Sequence, residues 1–294
     1  MRLVTFADAA GVRPGMLDGV EVVALPSGAP GGSGGVLQLI EAWDRWEAPL
    51  RAALADAASP RVDVASGKLL APLQYPGKLL MAGANYGDHA REMAARTGQP
   101  PGAGGGEPFL FLLPTRHTIV GPDDAVRAPA WTEKLDWEVE LAVVIGRTVH
   151  DVSVADAMDA VFGYTILNDV TSRAANNRSI GPFKHDWLAG KGHDTFCPMG
   201  PCIVTKDELP LPVALQLHVN ADLMQDGSSS DLIFGVPELV AYASSRVTLD
   251  PGDVISTGTP SGVGAGRGIF LNNGDVMTAT IPGIGTLVNA VQRV

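Results

Sequence analysis

From residue 76 onward the chain is cut into short apolar runs: FLFLL, ELAVVIG, VFGYTIL, PCIVT, LQLHVN, DVIST, DVMTATI and TLVNAV. Each is long enough for a strand and too short for an ordinary helix. Gly (35) and Pro (22) punctuate them and make up about a fifth of the 294 residues, against a usual ~12 %. Such punctuation suits many short strands and turns and argues against a helical bundle. Helix-like spacing after residue 76 is confined to DHAREMAAR, VADAMDAV and VPELVAYASS. The expected class is therefore α+β and β-rich.

The first 72 residues read differently. MRLVTF and GVEVVALP are strand-like, and the Gly/Pro/Ser stretch 27–35 is a connection. In LQLIEAWDRWEAPLRAALADAA, Leu37, Ile40, Trp43, Leu50 and Leu54 recur at roughly helical spacing, and Pro49 is expected to kink or divide the helix. Nothing here resembles chemistry. The division expected is a small N-terminal α/β accessory domain, 1–72, and a larger domain, 73–294, within the one or two domains that ~100–200 residues apiece allow.

Acidic residues (32) outnumber basic ones (21), which argues against a nucleic-acid backbone or an anionic membrane as partner. The same excess does not argue against hard divalent cations, which take carboxylate ligands. No apolar stretch approaches the ~20 residues that span a bilayer. The opening residues lack the basic and apolar regions of a secretory leader. Cys197 and Cys202, the only cysteines, cannot form a disulfide framework or a Cys₄ zinc site. Two reduced thiols in a cytoplasmic protein are expected.

Several common motifs fail. Gly31-Gly32-Ser33-Gly34-Gly35 matches the serine-hydrolase elbow in letters but lies in a connection with no preceding strand. TGTPSGVGAGRG never places glycines at i, i+2 and i+5, so the dinucleotide fingerprint is absent, as are the phosphate-binding loop and the H-E-x-x-H zinc motif.

One constellation survives. Glu138 and Glu140, in LDWEVELAVVIG, are two apart on a strand and so project from one face. At the start of a buried strand they repel unless a proton or cation lies between them, although E-x-E alone also occurs on solvated strand faces. Asp169 ends the apolar strand VFGYTILND. Three carboxylates and water make an oxygen shell for Mg²⁺ or Mn²⁺ with positions left for a chelating substrate. His89 and Glu92 are three apart on a helix and can hydrogen-bond, which is a general-base arrangement or an ordinary exposed ion pair. Lys191 is flanked by glycines, which allow close approach of backbone to a ligand; it also reads as a surface lysine. The tract 98–108, with five Gly and three Pro, is a lid or a plain surface loop.

The strings NY..H..E, IVGP, LDWEVELAVVIG, GYTILNDVTSR, GKGHDTFCPMGP, HVN…MQDG and PGDVISTGTPSGVG, with a final GD…IPGIG.LVN, resemble the fumarylacetoacetate hydrolase superfamily. The resemblance covers about residues 70–294 in uniform order, and the length is similar to that of its domain-containing-2 and acylpyruvate hydrolase branch. It implies a twisted β-roll domain, a homodimer, and bound Mg²⁺ or Mn²⁺. It implies Glu138, Glu140 and Asp169 as metal ligands, His89 and Glu92 as a catalytic dyad on a lid helix, and Lys191 as the active-site lysine. Arg173, Thr259 and Gln225 correspond to substrate contacts. Three departures surround the substrate pocket: Leu113-Pro114 replaces a usual lysine segment, Ala174 follows Arg173 where Asp is usual, and Asn176 replaces a usual Gln.

These parts fit a metal-dependent hydrolase that cleaves a C–C bond of an acylpyruvate or β-diketo acid through a metal-stabilised enolate, with the dyad activating water. The same machinery without an attacking water would decarboxylate oxaloacetate, or isomerise or hydrate an enol acid. A non-catalytic metal-containing binding protein is a third reading.

Overall fold

The run Val139–Ile145 is buried at every position and apolar at all but Glu140, a pattern expected of a strand covered on both faces. In the computed structural model, which describes residues 1–97, 106–177 and 184–294, this strand lies inside a large sheet. Leu141, Val143 and Ile145 face one apolar core and Ala142 and Val144 face the other. On the neighbouring strand Val161–Asn168, Tyr164 and Ile166 face the first core, and Phe162 and Leu167 the second. Alternation with period two builds the two cores along Val139–Ile145. A register shift opposite Val144 and Ile145 makes Phe162 an extra residue and turns it to the second core, although it is two residues from Tyr164.

The sheet order runs Arg61–Asp63, Glu21–Val23, Gly11–Asp18, Arg2–Asp8, Cys197–Thr205, Val161–Asn168, Val139–Ile145, Val254–Ser256, Leu79–Gly83 and Phe109–Leu113. A second sheet, formed by Asp222–Ser228, Ala214–Val219, Val276–Ile281, Gly285–Arg293 and Val126–Ala128, packs against the first core. This is the strand-rich α+β architecture expected. The first strand bonds to Cys197–Thr205, with Leu3 opposite Ile203. The division at residue 72 therefore runs through one continuous sheet, and the accessory unit 1–72 that we propose shares that sheet with residues 73–294.

Local differences from the sequence reading have physical causes. The helix breaks at Ala42, between Gly35–Glu41 and Trp43–Ala55, and continues through Pro49. Pro49 is exposed, so water can satisfy the carbonyl its missing N–H leaves unpaired. Gly11–Asp18 forms a strand despite Pro14, because the next strand pairs only from Met16 onward. VADAMDAV yields a single 3₁₀ turn, Ala157–Ala160, before Val161 enters the sheet. The eight residues 98–105 of the proposed lid tract lie outside the described residues. Cys197 and Cys202 are free, buried and directed into opposite cores, so they cannot pair with each other.

Gly163 shows how tightly the strands that carry the site are packed. A Cβ there would lie 2.1 Å from the carbonyl oxygen of Val204, a backbone atom that cannot swing aside. Gly163→Ala should therefore destabilise the fold by about 2 kcal/mol, within the usual range for overpacking, read from urea denaturation midpoints. Unchanged stability would show that the two strands separate easily.

Candidate active site

Register brings the three carboxylates together. Val139 pairs with Asn168 and Glu140 with Leu167. Beyond the last pair, the Asp169 amide donates to the Glu138 carbonyl (2.9 Å), and the Glu138 amide donates to the Asn168 side chain (3.0 Å). Glu138, Glu140 and Asp169 thus project from one face, and one oxygen from each lies within 4.8 Å of the others. All three are buried.

Cations hold part of this charge. Lys191 Nζ donates to Glu138 Oε2 at 2.9 Å and also to Asp169 Oδ2. Arg173 Nη2 donates to Glu138 Oε1 at 2.5 Å, while its Nε donates to Asp136 Oδ2 at 2.7 Å. Glu140 Oε2 accepts from Ser256 Oγ and from the Gly258 amide (3.0 Å). Burial pushes Glu138 upward, but Lys191 and Arg173 overcome it and take its pKa to about 2. For Glu140 burial and the neighbouring Asp169 and Glu138 act in the same direction, and its pKa lies well above the usual range. Burial raises Asp169 to about 6 against the pull of Lys191.

Asp169 Oδ1 is buried and has no hydrogen-bond partner among the described residues. An orphaned carboxylate oxygen beside two further carboxylates fits a hard divalent cation and does not call for nitrogen or sulfur ligands. Glu138 and Glu140, read from strand spacing, and Asp169, read from the end of its strand, are thus brought together as a set that could hold a metal.

Lys191 is not a surface lysine but is buried, 3% exposed. It ends the helix Trp187–Lys191, whose first turn is capped by Asp186 accepting from the Ala189 amide (2.9 Å). The adjoining glycine serves packing between protein segments: a Cβ on Gly190 would meet Asn176 Cβ at 2.4 Å. His89 and Glu92 lie on the helix Gly87–Thr97, with Nδ1 and Oε2 3.3 Å apart. That helix is tied to the 261–262 turn, because Ser261 Oγ donates to Asp88 (2.9 Å) and the Gly262 amide donates to Glu92 Oε1 (3.1 Å).

A cavity of about 600 Å³ is lined by His89, Glu138, Glu140, Asp169, Arg173, Lys191 and Thr259, among others. Gln225 is fully buried behind its wall: Oε1 accepts from the Val139 amide, and Nε2 donates to Thr259 Oγ1 and the Pro260 carbonyl. The Thr259 hydroxyl in turn donates to the Val139 carbonyl. Of the three departures from the family pattern, Ala174 and Asn176 line the cavity, and Leu113 lies in the second core.

Sequence reasoning missed Asp136. It accepts from the Gly264 and Ala265 amides (2.6 and 2.8 Å) and from Arg173, so it fixes the guanidinium that steadies Glu138. The alternation Asp136, Glu138, Glu140 was the available signal. Ser256, at the end of DVIST, carried none.

Residues 78–292 match the family model described as fumarylacetoacetate (FAA) hydrolase C-terminal. The chain belongs to this family. Oxaloacetate tautomerase YisK of Bacillus subtilis is 43% identical over 230 residues, covering 76% of this chain and 73% of that protein. The mitochondrial oxaloacetate tautomerase fahd2 of Xenopus laevis is 41% identical over 227 residues, covering 76% and 68%. Maleylpyruvate hydrolase from Sphingobium sp. SYK-6, solved with manganese (II) and pyruvate, shares the fold at a TM-score of 0.79 and 32% identity, covering 100% of this chain and 99% of that one. The acidic triad of this family member and that manganese complex together point to divalent metal binding. Among the described residues no helix is long and apolar enough to cross a membrane.

A metal ion must displace the protons that burial and repulsion retain on Glu140 and Asp169. Mn²⁺ affinity, measured by calorimetry, should therefore fall as the pH drops through about 6 and change little above the range in which Glu140 also ionises. Glu140→Gln imitates the protonated side chain and keeps an oxygen for Ser256 and Gly258. Its melting temperature should not fall, while Mn²⁺ affinity drops at least about tenfold, as loss of a ligand demands. A pH-independent affinity, or full affinity in this variant, would contradict the triad as the metal site.

Proposed function

We propose that this protein interconverts the enol and keto forms of a small 2-oxo acid, with oxaloacetate the first substrate to test. The observation that carries the proposal is a cavity in which a histidine backed by a carboxylate shares the space with a buried lysine–carboxylate cluster. Moving a proton between the oxygen on carbon 2 and the neighbouring carbon 3 requires an acid–base group at carbon 3 and positive charge at the oxygen. The relatives named as oxaloacetate tautomerases, at 41% and 43% identity, support this reading over C–C hydrolysis.

In this scheme the enol O–H proton is lost as the C=O bond forms, and a proton is delivered to carbon 3. Glu92, anchored by Gly262, orients His89, which carries the proton at carbon. Lys191 keeps its charge, because Asp169 and Glu138 oppose the effect of burial on it, and its ammonium can donate to the developing oxyanion. Arg173, held by Asp136, fixes Glu138; Arg173 and Thr259 face the substrate, with Gln225 supporting Thr259 from behind. A divalent cation bound by Glu138, Glu140 and Asp169, Mg²⁺ or Mn²⁺, would supply a Lewis acid for the 2-oxo oxygen.

The second reading is hydrolytic cleavage of an acylpyruvate, in which the His89–Glu92 pair holds an attacking water. The maleylpyruvate hydrolase neighbour with bound pyruvate favours it. Decarboxylation of oxaloacetate needs the same oxygen polarisation. The homodimer and cytoplasmic placement expected from the sequence belong to this proposal; the two buried free thiols fit a reducing compartment.

The test is to follow loss of enol-oxaloacetate absorbance alongside pyruvate release from an acylpyruvate. The tautomerase reading predicts fast enol loss with little pyruvate, and the reverse pattern selects the hydrolase. His89→Ala should slow enol loss by about 10²–10⁴-fold, the usual contribution of a positioned general base. A loss below tenfold would remove His89 from that role.

A further inference from the structure

We propose that the natural substrate carries an aromatic arm beyond its 2-oxo acid head, and that Phe111 and Trp187 seat this arm. The inference rests on the 2-oxo acid reading and names the class of acid. Phe111 and Trp187 both line the cavity, with rings stacked 4.8 Å apart at 21°. Phe109 and His185 extend the surface, with ring centroids 5.7 and 5.6 Å from Trp187. Lys191 Nζ lies 5.8 Å from the Phe111 centroid and 5.9 Å from that of Trp187. The aromatic wall thus adjoins the ammonium proposed to meet the acid's oxygen.

Sequence spacing makes this adjacency rigid. Trp187 and Lys191 are four apart on one helix and share a face. Phe109 and Phe111 are two apart on the strand Phe109–Leu113 and share another. Residues that read the head and the arm are therefore carried by the same elements.

Size and polarity agree. A cavity of about 600 Å³ falls in the ~300–1,000 Å³ range of pockets that enclose drug-sized ligands, and a four-carbon acid leaves most of it to water. Phe270 and Met93 add apolar lining. Arg173 and Lys191 already face protein carboxylates. Flat π surfaces are matched best by another flat ring, stacked or edge-on.

The probe is phenylpyruvate, compared with pyruvate and oxaloacetate by calorimetry on the Mn²⁺-loaded full chain. Phenylpyruvate should bind at least tenfold more tightly than either. In Phe111→Leu and in Trp187→Leu, tested separately, its advantage over pyruvate should shrink to less than threefold. Equal or weaker binding of phenylpyruvate, or an advantage that survives both substitutions, overturns the inference. Tighter binding of oxaloacetate also overturns it, and points to Lys134 at the cavity rim as reader of a second carboxylate. Enol loss from phenylpyruvate is followed in parallel. Tight binding without that reaction defeats the tautomerase reading and leaves the aromatic arm standing.

Discussion

Glu138, Glu140 and Asp169 bring three carboxylates within 4.8 Å of one another in a buried site, and much of the surrounding structure answers their repulsion. At that separation, two full negative charges repel by about 3.5 kcal/mol at an effective dielectric near 20. Lys191 and Arg173 offset part of this but supply only two positive charges against three negative ones. The remainder, together with burial, favours the protonated forms, raising Glu140 well above the usual carboxylate range and Asp169 to about 6. Such a cluster is costly to fold around, and a divalent cation relieves it directly.

Few positions in this architecture could hold the cluster in place. The strands Val139–Ile145 and Val161–Asn168 are covered on both faces, so their register cannot slip without turning apolar side chains out of one core into the other. Their ends consequently project carboxylates with little freedom. Arg173 and Asp136 extend the rigidity outward, since Asp136 ties the guanidinium to the 264–265 turn. The helix carrying His89 is fastened to the neighbouring 261–262 turn by Asp88 and Glu92. The wall that carries the carboxylates and the wall that carries His89 are thus joined through a few residues of one loop.

The fold was legible wherever a short apolar run stood between turn residues. Two of the three carboxylates, Glu138 and Glu140, were legible because strand spacing of two converts directly into a shared face, whereas Asp169 was legible as the carboxylate that ends a second apolar strand. Gly11–Asp18 was hidden by Pro14, whose tolerance depends on where the next strand begins to pair. Asp136 was hidden because its partners, Arg173 and the Gly264 and Ala265 amides, are distant in sequence and neutralise a charge that otherwise reads as ordinary. Gln225 carries polar groups that suit a ligand, yet the folded chain joins it to the Val139 amide and to Thr259, the residue that lines the cavity. Such distinctions depend on which side of a cavity wall a side chain stands, and spacing does not encode that.

The central claim is that the three carboxylates form one cation site that Lys191 closes. Anomalous diffraction at the manganese edge from crystals grown with Mn²⁺ tests it directly. The account predicts one strong peak bounded by Glu138, Glu140 and Asp169, with the Lys191 ammonium withdrawn from at least one of its two carboxylates. A peak elsewhere, or none at the triad while Lys191 still bridges Glu138 and Asp169, would contradict it.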